Sequence, residues 1–461
     1  MLKKILSQLA ALTLCIVVSG QHNPYFQPQE EDVKANIAAW QDLKFGMFIH
    51  WGPYSQLGVV ESWTICPELV EWQYKGREES GLDYASYLKY YEGLKKTFNP
   101  TDFDPDNWAK AAAHAGMKYV VFTTKHHDGF NMFDTALSDY KVTDKGCAFS
   151  SDPRANIAKE VFNAFRNNGL KAGAYLSAAD WHNDDYWWRL FSPKGRYINY
   201  DPARWPEKMR AFEDFVEGQV RELTGGDYGK LDLMWFDLCE ISEQYEVHFP
   251  WDRIAAAARE GQPGIITVAR GTKGPYENYL TPENKIPQEV WDDCPWECCM
   301  PMSQSWAYKK EPKYKSTRTL LNMLVQVISR GGNFLLGVGP SPLGTLDEEA
   351  YSRMKEIGDW VNVNEEGIYG TRPVAPYQTD DVYFTGKDGA VYAFYAPEEG
   401  VDELPEKIFL GDITPAKPYV TMLGAKMRFR WTKCDGGVSV NIPEPLRKKA
   451  PCSHVICLKI K

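Results

Sequence analysis

The chain has 461 residues, of which 44% are hydrophobic and 25% are charged. This globular composition excludes disorder over most of the length, and the chain is long enough for one large domain and a smaller one. The formal net charge is −10, and no basic run follows the N-terminal residues. A nucleic-acid partner is therefore not expected, because phosphate binding needs concentrated Lys and Arg. The 16 Trp and 26 Tyr suit both core packing and stacking on sugar faces.

The N-terminus has the pattern of a secretory signal peptide. Lys3 and Lys4 precede an apolar run over 5–18, and small residues follow before Gln21. The run is shorter than the roughly 20 residues that a membrane span needs. We therefore expect residues 1–20 to be removed and the protein to be exported, to the periplasm or out of the cell.

A lipid anchor is the alternative fate of this segment. Cys15 would carry the lipid, but 12–14 (Leu-Thr-Leu) does not supply the small residue that normally precedes a lipidated cysteine. The anchor is therefore the less favoured reading. No second long apolar segment follows, so no stable membrane insertion is expected after cleavage.

Short apolar strands then alternate with longer amphipathic helices. Strands are predicted at 45–52, 119–124, 171–177, 231–236, 265–269 and 333–338. Helices are predicted at 84–91, 104–115, 157–168, 207–223, 251–259, 317–329 and 348–363. This alternation predicts a parallel sheet covered by helices, and its length favours an α/β fold of the (β/α)8-like TIM barrel type over residues 21–370. A doubly wound open sheet is the alternative, but no Gly-rich phosphate loop follows any early strand.

The pattern changes near Thr371. Beyond it, strands separated by turn residues are predicted at 382–385, 390–395, 407–410, 427–431, 438–442 and 455–460. No long helix interrupts them. Residues 371–461 are therefore predicted to form a small C-terminal all-β domain, most simply a sandwich.

In a barrel of this type the active site lies at the C-terminal ends of the strands. Asp237 closes the strand predicted at 231–236 and shares a face with Trp235, whereas Asp232 has the opposite parity. Asp237 is therefore the candidate catalytic carboxylate. A helix cap or a loop salt bridge is the structural alternative for this residue.

Imidazole and indole groups also collect at the predicted strand ends. They are His50, His126, His127 and His182, together with Trp51, Trp181 and Trp235. Apolar walls with a few placed polar groups suit a polyol ligand. A metal site is disfavoured because neighbouring residues on a strand point to opposite sides, and we predict no metal or other cofactor.

A glycosidase would need a second carboxyl group to protonate the leaving oxygen. The stretch after Arg270 offers Glu277, Glu283 and Glu297, all on predicted loops rich in Pro and Trp. Residue chemistry alone leaves the choice among the three open.

Five segments together resemble glycoside hydrolase family 29. They are FGMFIHWG (45–52), the stretch 98–130 that ends in KHHDGF, AYLSAADW (174–181), LMWFD (233–237) and GGNFLLGVGP (331–340). The resemblance covers roughly residues 35–370. It implies a retaining exo-α-L-fucosidase with a (β/α)8-like catalytic domain and a C-terminal β-sandwich. The implied partner is a fucosylated oligosaccharide or glycoconjugate.

The resemblance also implies roles for individual residues. Asp237 takes the position of the nucleophile, and the fucose pocket takes His50, His126, His127, Tyr175, Trp235 and Arg270. The family's Glu-Trp pair after the first strand corresponds to Glu61-Ser62-Trp63, which adds Trp63 to the substrate-binding residues; Glu71-Trp72 is the second candidate for that pair.

The implied acid/base lies on a loop that varies within the family. The spacing of Thr281-Pro282-Glu283 before Trp296-Glu297 favours Glu283, with Glu297 second and Glu277 third. One departure concerns the residue after the nucleophile, where the family often has Gly and this chain has Leu238.

Three other functions remain open at this stage. An exo-α-L-galactosidase of the same family would meet a hydroxyl at C6 and need a polar group there. A non-catalytic glycan-binding protein would keep the aromatic pocket and release no sugar. Metal-dependent hydrolysis is the third alternative. Neither the preferred fucosyl linkage nor the oligomeric state follows from the sequence.

Overall fold

The structure is a computed structural model that describes residues 24–68, 70–447 and 455–461. The predicted signal peptide (1–20), which includes Cys15, lies outside the described residues. Within these ranges, no helix is long and apolar enough to cross a membrane.

Seven parallel strands form the N-terminal sheet. They are Phe45–Ile49 (β1), Tyr119–Lys125 (β2), Lys171–Ser177 (β3), Leu233–Asp237 (β4), Ile266–Ala269 (β5), Glu297–Pro301 (β6) and Asn333–Val338 (β7). Their order is β5-β4-β3-β2-β1-β7-β6, which is the chain order around a ring that is cut between β5 and β6. The parallel sheet predicted from the alternating pattern is confirmed.

An irregular segment fills the gap between β5 and β6. Single bridges join Glu277 to Val268 of β5, and join Leu280 and Glu283 to Trp296 and Cys299 of the β6 side. Pro275 and Pro282 lack the backbone N–H groups that a regular ladder requires. The segment thus takes the place of the eighth strand, and the sheet closes into a (β/α)8-like barrel.

Nine helices of the described chain accompany this sheet. They are Glu31–Gln41 (α1), Glu71–Glu78 (α2), Tyr84–Glu92 (α3), Pro105–His114 (α4), Ile157–Asn167 (α5), Pro206–Thr224 (α6), Trp251–Gly261 (α7), Thr317–Ser329 (α8) and Glu348–Asn364 (α9). The predicted cap of α4 is present, since the Asp104 carboxylate accepts a hydrogen bond from the Asn107 backbone N–H at 3.1 Å. Gly116 follows with a φ of 86°, a conformation that glycine adopts without strain.

Helix α1 covers the N-terminal opening of the barrel. Its Val33, Ile37 and Trp40 are buried in the same hydrophobic cluster as the first residues of β2, β4 and β5. The Trp40 indole stacks on Tyr279 with ring centroids 4.1 Å apart. The barrel interior is therefore packed at this end and can open only at the C-terminal ends of the strands.

Alternation along the strands separates two hydrophobic layers. Phe48, Tyr175 and Trp235 belong to the cluster inside the barrel, whereas Met47, Leu176 and Phe236 pack outward against the helices. Because side chains two residues apart share a face, Asp237 continues the inward row of Trp235. The strand pattern thus directs this carboxylate into the barrel mouth.

The C-terminal part of the chain is an antiparallel sheet. Its strands are Arg372–Thr379 (β8), Val382–Lys387 (β9), Ala390–Tyr395 (β10), Lys407–Phe409 (β11), Tyr419–Met422 (β12), Arg428–Cys434 (β13), Gly437–Asn441 (β14) and Ile456–Ile460 (β15), with a short helix at Glu444–Arg447 (α10). The order β11-β14-β13-β12-β15-β10-β9-β8 makes one sheet of eight strands. A single hydrophobic cluster takes side chains from both halves, including Phe384 and Val440, so the sheet is folded around its own core. The predicted all-β domain is confirmed.

Three elements of the barrel domain depart from the pattern-based expectation. Helices α1 and α2 were not evident in the pattern, and the stretch predicted as a loop around Glu297 contains β6. The sequence of β6, Glu-Cys-Cys-Met-Pro, has no β-branched residue, so it carries no local strand signal. Pairing with β7 makes it a strand.

The tight packing inside the barrel predicts a large effect of one added methyl group. A Cβ on Gly46 of β1 would lie 2.5 Å from the ring of Tyr119. We expect Gly46→Ala to lower the free energy of unfolding by about 1–3 kcal/mol, because the ring cannot move without disturbing its neighbours. Urea denaturation followed by tryptophan fluorescence measures this.

Gly93→Ala is the matched control. Gly93 has a φ of −67° and no atom within 4 Å of a built Cβ. This change should leave stability unchanged or raise it by less than about 1 kcal/mol. Equal effects of the two substitutions would contradict the packing argument.

Candidate active site

A cavity of about 880 Å³ opens at the C-terminal ends of the strands. It is lined by all the residues to which the family resemblance gives a first-choice catalytic or binding role: Asp237, Glu283, His50, Trp63, His126, His127, Tyr175, Trp235 and Arg270. Strand ends explain most of this set, because His50 follows β1, the two adjacent histidines follow β2, and Arg270 follows β5. Parallel strands bring these ends to one edge of the barrel.

Three donated hydrogen bonds hold the Asp237 carboxylate. Oδ2 accepts a hydrogen bond from the Tyr175 hydroxyl at 2.9 Å, and Nε2 of His127 lies 3.9 Å from the same oxygen. Oδ1 accepts from the Leu238 backbone N–H at 2.9 Å and from Nη1 of Arg270 at 3.1 Å. The carboxylate is therefore fixed in orientation at the bottom of the cavity.

These partners keep Asp237 ionised. Burial by itself would raise the pKa of this carboxyl, but the positive charge of Arg270 and the hydrogen bonds donated by Leu238 and Tyr175 outweigh it. The net effect is a pKa well below the usual range of an aspartate. Asp237 is thus an anion at any physiological pH.

The residue after Asp237 has an uncommon backbone conformation. Leu238 has a φ of 47°, in the left-handed region that favours glycine. This turn directs the Leu238 N–H back onto Oδ1 of Asp237. The glycine that often follows the nucleophile in glycoside hydrolase family 29 suits this conformation, and Leu238 adopts it with a side chain that lines the cavity.

Glu283 enters the cavity from the irregular eighth segment. Its Oε2 accepts a hydrogen bond from Nη2 of Arg270, whose Nη1 donates to Asp237. The two carboxyl groups are therefore joined by a single guanidinium group. The side chain of Glu283 is 35% exposed and that of Asp237 18% exposed, so Glu283 lies nearer the cavity mouth.

The other two acid/base candidates do not line the cavity. Glu297 is fully buried on β6, where it accepts hydrogen bonds from Tyr119, Tyr279 and the Trp235 indole, and burial raises its pKa to about 7. The loop position expected for Glu297 is therefore wrong. Glu277 accepts from the backbone N–H groups of Gly271 and Lys273 at 2.8 and 3.1 Å, which braces the loop after β5.

Three imidazoles in the cavity are neutral. Burial lowers the pKa of His50 and His126 well below the ordinary value, and lowers that of His127 to about 3. The Ser177 hydroxyl donates to the Ala179 carbonyl at 2.6 Å, so it accepts from Nδ1–H of His127 at 2.8 Å. Nε2 of His127 is thereby left as a hydrogen-bond acceptor beside Asp237, suited to a sugar hydroxyl.

Three of the His and Trp residues predicted at the strand ends do not line the cavity. His182 forms a hydrogen bond with Glu92, with Nδ1 and Oε1 3.0 Å apart, and stacks on Tyr140, outside the cavity. Trp51 and Trp181 are buried behind the cavity wall. All three residues lie in loops beyond the strand ends, where side chains no longer alternate between the inside and the outside of the barrel.

Several residues outside the predicted catalytic and binding set also line the cavity. Phe48 and Trp306 add apolar wall, and Glu61 is a fully buried carboxyl that accepts a hydrogen bond from the Ala307 backbone N–H at 2.9 Å. Burial raises the pKa of Glu61 to about 7. In the sequence, only the likeness of Glu61-Ser62-Trp63 to the family's Glu-Trp pair pointed to Glu61.

No cluster of three or more metal-ligating side chains occurs in the described part of the chain. The cavity presents neutral imidazoles, two carboxyl groups bridged by arginine, and aromatic walls. This arrangement can position a nucleophilic carboxylate and a proton donor around one sugar ring.

Comparison with known proteins agrees with this geometry. Residues 13–366 match the family model described as alpha-L-fucosidase. Human tissue alpha-L-fucosidase is 27% identical over 445 residues, which cover 92% of this chain and 89% of that protein.

Solved structures give the same picture. Alpha-L-fucosidase isoenzyme 1 from Paenibacillus thiaminolyticus superposes with a TM-score of 0.76 at 27% identity, covering 93% of this chain and 99% of that one. The Thermotoga maritima alpha-fucosidase in complex with fucose has the same fold, with a TM-score of 0.71 at 24% identity over 95% of this chain and 100% of that one. Because the family model matches most of the length of this chain, the chain belongs to the alpha-L-fucosidase family.

Proposed function

We propose that the protein is an exo-acting, retaining α-L-fucosidase that hydrolyses terminal α-L-fucosyl residues of oligosaccharides or glycoconjugates by double displacement. Family membership supports the activity. The observation that carries the mechanism is the Arg270 guanidinium, which binds both Asp237 and Glu283. Two carboxyl groups within the span of one guanidinium fit the separation of about 5–5.5 Å in retaining enzymes better than the roughly 6.5–9.5 Å of inverting ones.

In the first step Asp237 acts as the nucleophile. One carboxylate oxygen attacks C1 of the fucosyl unit, and the bond from C1 to the glycosidic oxygen breaks through an oxocarbenium-like transition state. Glu283, in its protonated form, gives its proton to the departing oxygen. The product of this step is a covalent β-fucosyl ester of Asp237.

In the second step Glu283 acts as a base. It takes a proton from a water molecule as the water oxygen attacks C1, and the C1–Asp237 bond breaks. Fucose leaves with the α configuration. General acid–base catalysis of this kind contributes about 10²–10⁴-fold to the rate.

The cavity residues supply the binding groups for the sugar. His127 offers Nε2 as an acceptor for a hydroxyl proton, and His50 and His126 add neutral imidazoles. Phe48, Trp235 and Trp306 provide apolar wall suited to a C6 methyl group. An α-L-galactoside would place its C6 hydroxyl in this region, so we expect it to be the poorer substrate.

The stereochemistry of the product tests the activity, and Asp237→Ala tests the nucleophile. With an aryl α-L-fucoside, proton NMR should detect α-fucose as the first anomer released. Asp237→Ala should lower kcat by about 10⁴-fold or more, because the attacking group is absent. First release of β-fucose would contradict double displacement.

Asp232→Asn is the matched control for Asp237. Asp232 lies just before the same strand, pairs with Lys171 at 3.1 Å and does not line the cavity. This variant should keep its activity, with the fold of both variants checked by circular dichroism. Near wild-type turnover by Asp237→Ala would refute its role.

Glu283→Ala should show a dependence on the leaving group. Aryl fucosides with good leaving groups need little protonation, so their cleavage should fall far less than that of fucosyl oligosaccharides. Azide needs no base to attack the covalent intermediate, and we expect it to restore turnover and to yield α-fucosyl azide. Steady-state kinetics over a series of aryl fucosides measures this effect.

Glu277→Ala and Glu297→Ala are the comparison variants for Glu283. Neither residue lines the cavity, so neither variant should show azide rescue. If one of them shows the rescue and Glu283→Ala does not, the acid/base assignment is wrong.

We further propose that residues 1–20 direct export to the periplasm or the medium. The support is the sequence pattern of Lys3 and Lys4 before an apolar run. Expression of the full chain should give a mature protein that begins at Gln21, as determined by N-terminal sequencing. An intact Met1, or lipid labelling that Cys15→Ser abolishes, would contradict this proposal.

A further inference from the structure

A tryptophan stands exposed at the mouth of the cavity. Trp72, on helix α2, is 52% exposed and lines the same cavity as Asp237. Its ring has one aromatic neighbour among the described residues, the edge-on Trp63 at 5.5 Å. Its indole N–H makes no hydrogen bond within this part of the chain. Trp72 therefore presents an exposed indole face at the entrance of the cavity.

Trp72 is the outer end of a row of rings that begins inside the cavity. Trp63 lies edge-on to His127, with ring centroids 4.9 Å apart, and edge-on to Trp181 at 5.3 Å. Two ring-to-ring contacts thus separate Trp72 from the imidazole beside Asp237. Trp72 therefore lies farther from this imidazole than Trp63 does, on the exposed side of the row.

Arg196 fixes this row and adds unused hydrogen-bond donors. Its guanidinium lies 4.9 Å from the Trp63 ring centroid, while Nε and Nη2 donate to the Glu68 carboxylate at 2.8 and 2.6 Å. Nη1 has no acceptor among the described residues, and Arg196 lines the cavity. The mouth of the cavity therefore presents the ring face of Trp72 together with N–H groups of Arg196, which Glu68 holds in a fixed orientation.

A pyranose ring matches both features. Its C–H face packs on an indole, and its hydroxyl groups accept hydrogen bonds from a guanidinium. In an exo-acting enzyme the terminal sugar fills the inner end of the cavity, so the group that leaves must extend to the mouth. The aromatic face and the free donors meet it there.

We propose that Trp72 and Arg196 form a binding subsite for the sugar to which fucose is attached, so that the natural substrates are fucosylated saccharides and the leaving group is recognised. This inference rests on the proposed α-L-fucosidase activity. The subsite acts on substrates with a saccharide leaving group and has nothing to contact when the leaving group is a single atom.

The test compares two substrates in each variant. One is α-L-fucosyl fluoride, and the other is the best substrate of the wild-type enzyme among α1,2-, α1,3-, α1,4- and α1,6-linked fucosyl disaccharides. We expect Trp72→Ala to lower the ratio of kcat/KM for the disaccharide to kcat/KM for the fluoride by about tenfold, the size of one aromatic contact. Trp72→Leu should lower it similarly, and Trp72→Tyr should restore most of it.

Tyr90→Ala is the control. Tyr90 is a 48% exposed aromatic on the neighbouring helix α3 and does not line the cavity, so its ratio should equal that of the wild type. An unchanged ratio in both Trp72→Ala and Trp72→Leu, or an equal fall in Tyr90→Ala, overturns the subsite. A wild-type enzyme that cleaves neither the fluoride nor any disaccharide instead overturns the proposed function.

Discussion

The Arg270 guanidinium is the group on which the chemistry of this cavity depends. It donates to Asp237 and to Glu283 at once, so its single positive charge serves two carboxyl groups. The charge of Arg270 lowers the pKa of Asp237 and keeps this buried carboxyl ionised. One fixed cation thus sets the orientation of both carboxyl groups.

The barrel supplies the rigidity that this arrangement requires. Helix α1 packs against the N-terminal opening of the barrel. Tyr175 of β3 and Asp237 of β4 both point into the barrel, and the Tyr175 hydroxyl donates to the Asp237 carboxylate. The neutral imidazoles follow from burial, and Ser177 sets which nitrogen of His127 faces the sugar. Because these groups are held by strands and strand ends, they keep their positions when the sugar enters and water leaves.

The cavity also has two different walls. At its inner end, buried residues surround the space for one sugar, whereas the mouth carries the exposed Trp72 and the free donors of Arg196. Trp63 belongs to both regions, since it contacts His127 on one side and Trp72 on the other. The inner end and the mouth of the cavity are therefore in contact through one indole ring.

The sequence by itself determined the elements with strong local periodicity and the residues at their ends. Strands β3 and β7 and helix α8 have the predicted bounds, and the parity of β4 directed Asp237 inward. Only the tertiary structure shows which of Glu277, Glu283 and Glu297 lines the cavity, because their stretch has no period of its own. Pairing with β7 made Glu297 part of a buried strand, and irregular bridging placed Glu283 against Arg270. Local sequence encodes repeating structure, but which loop residue reaches a distant side chain depends on how the barrel closes.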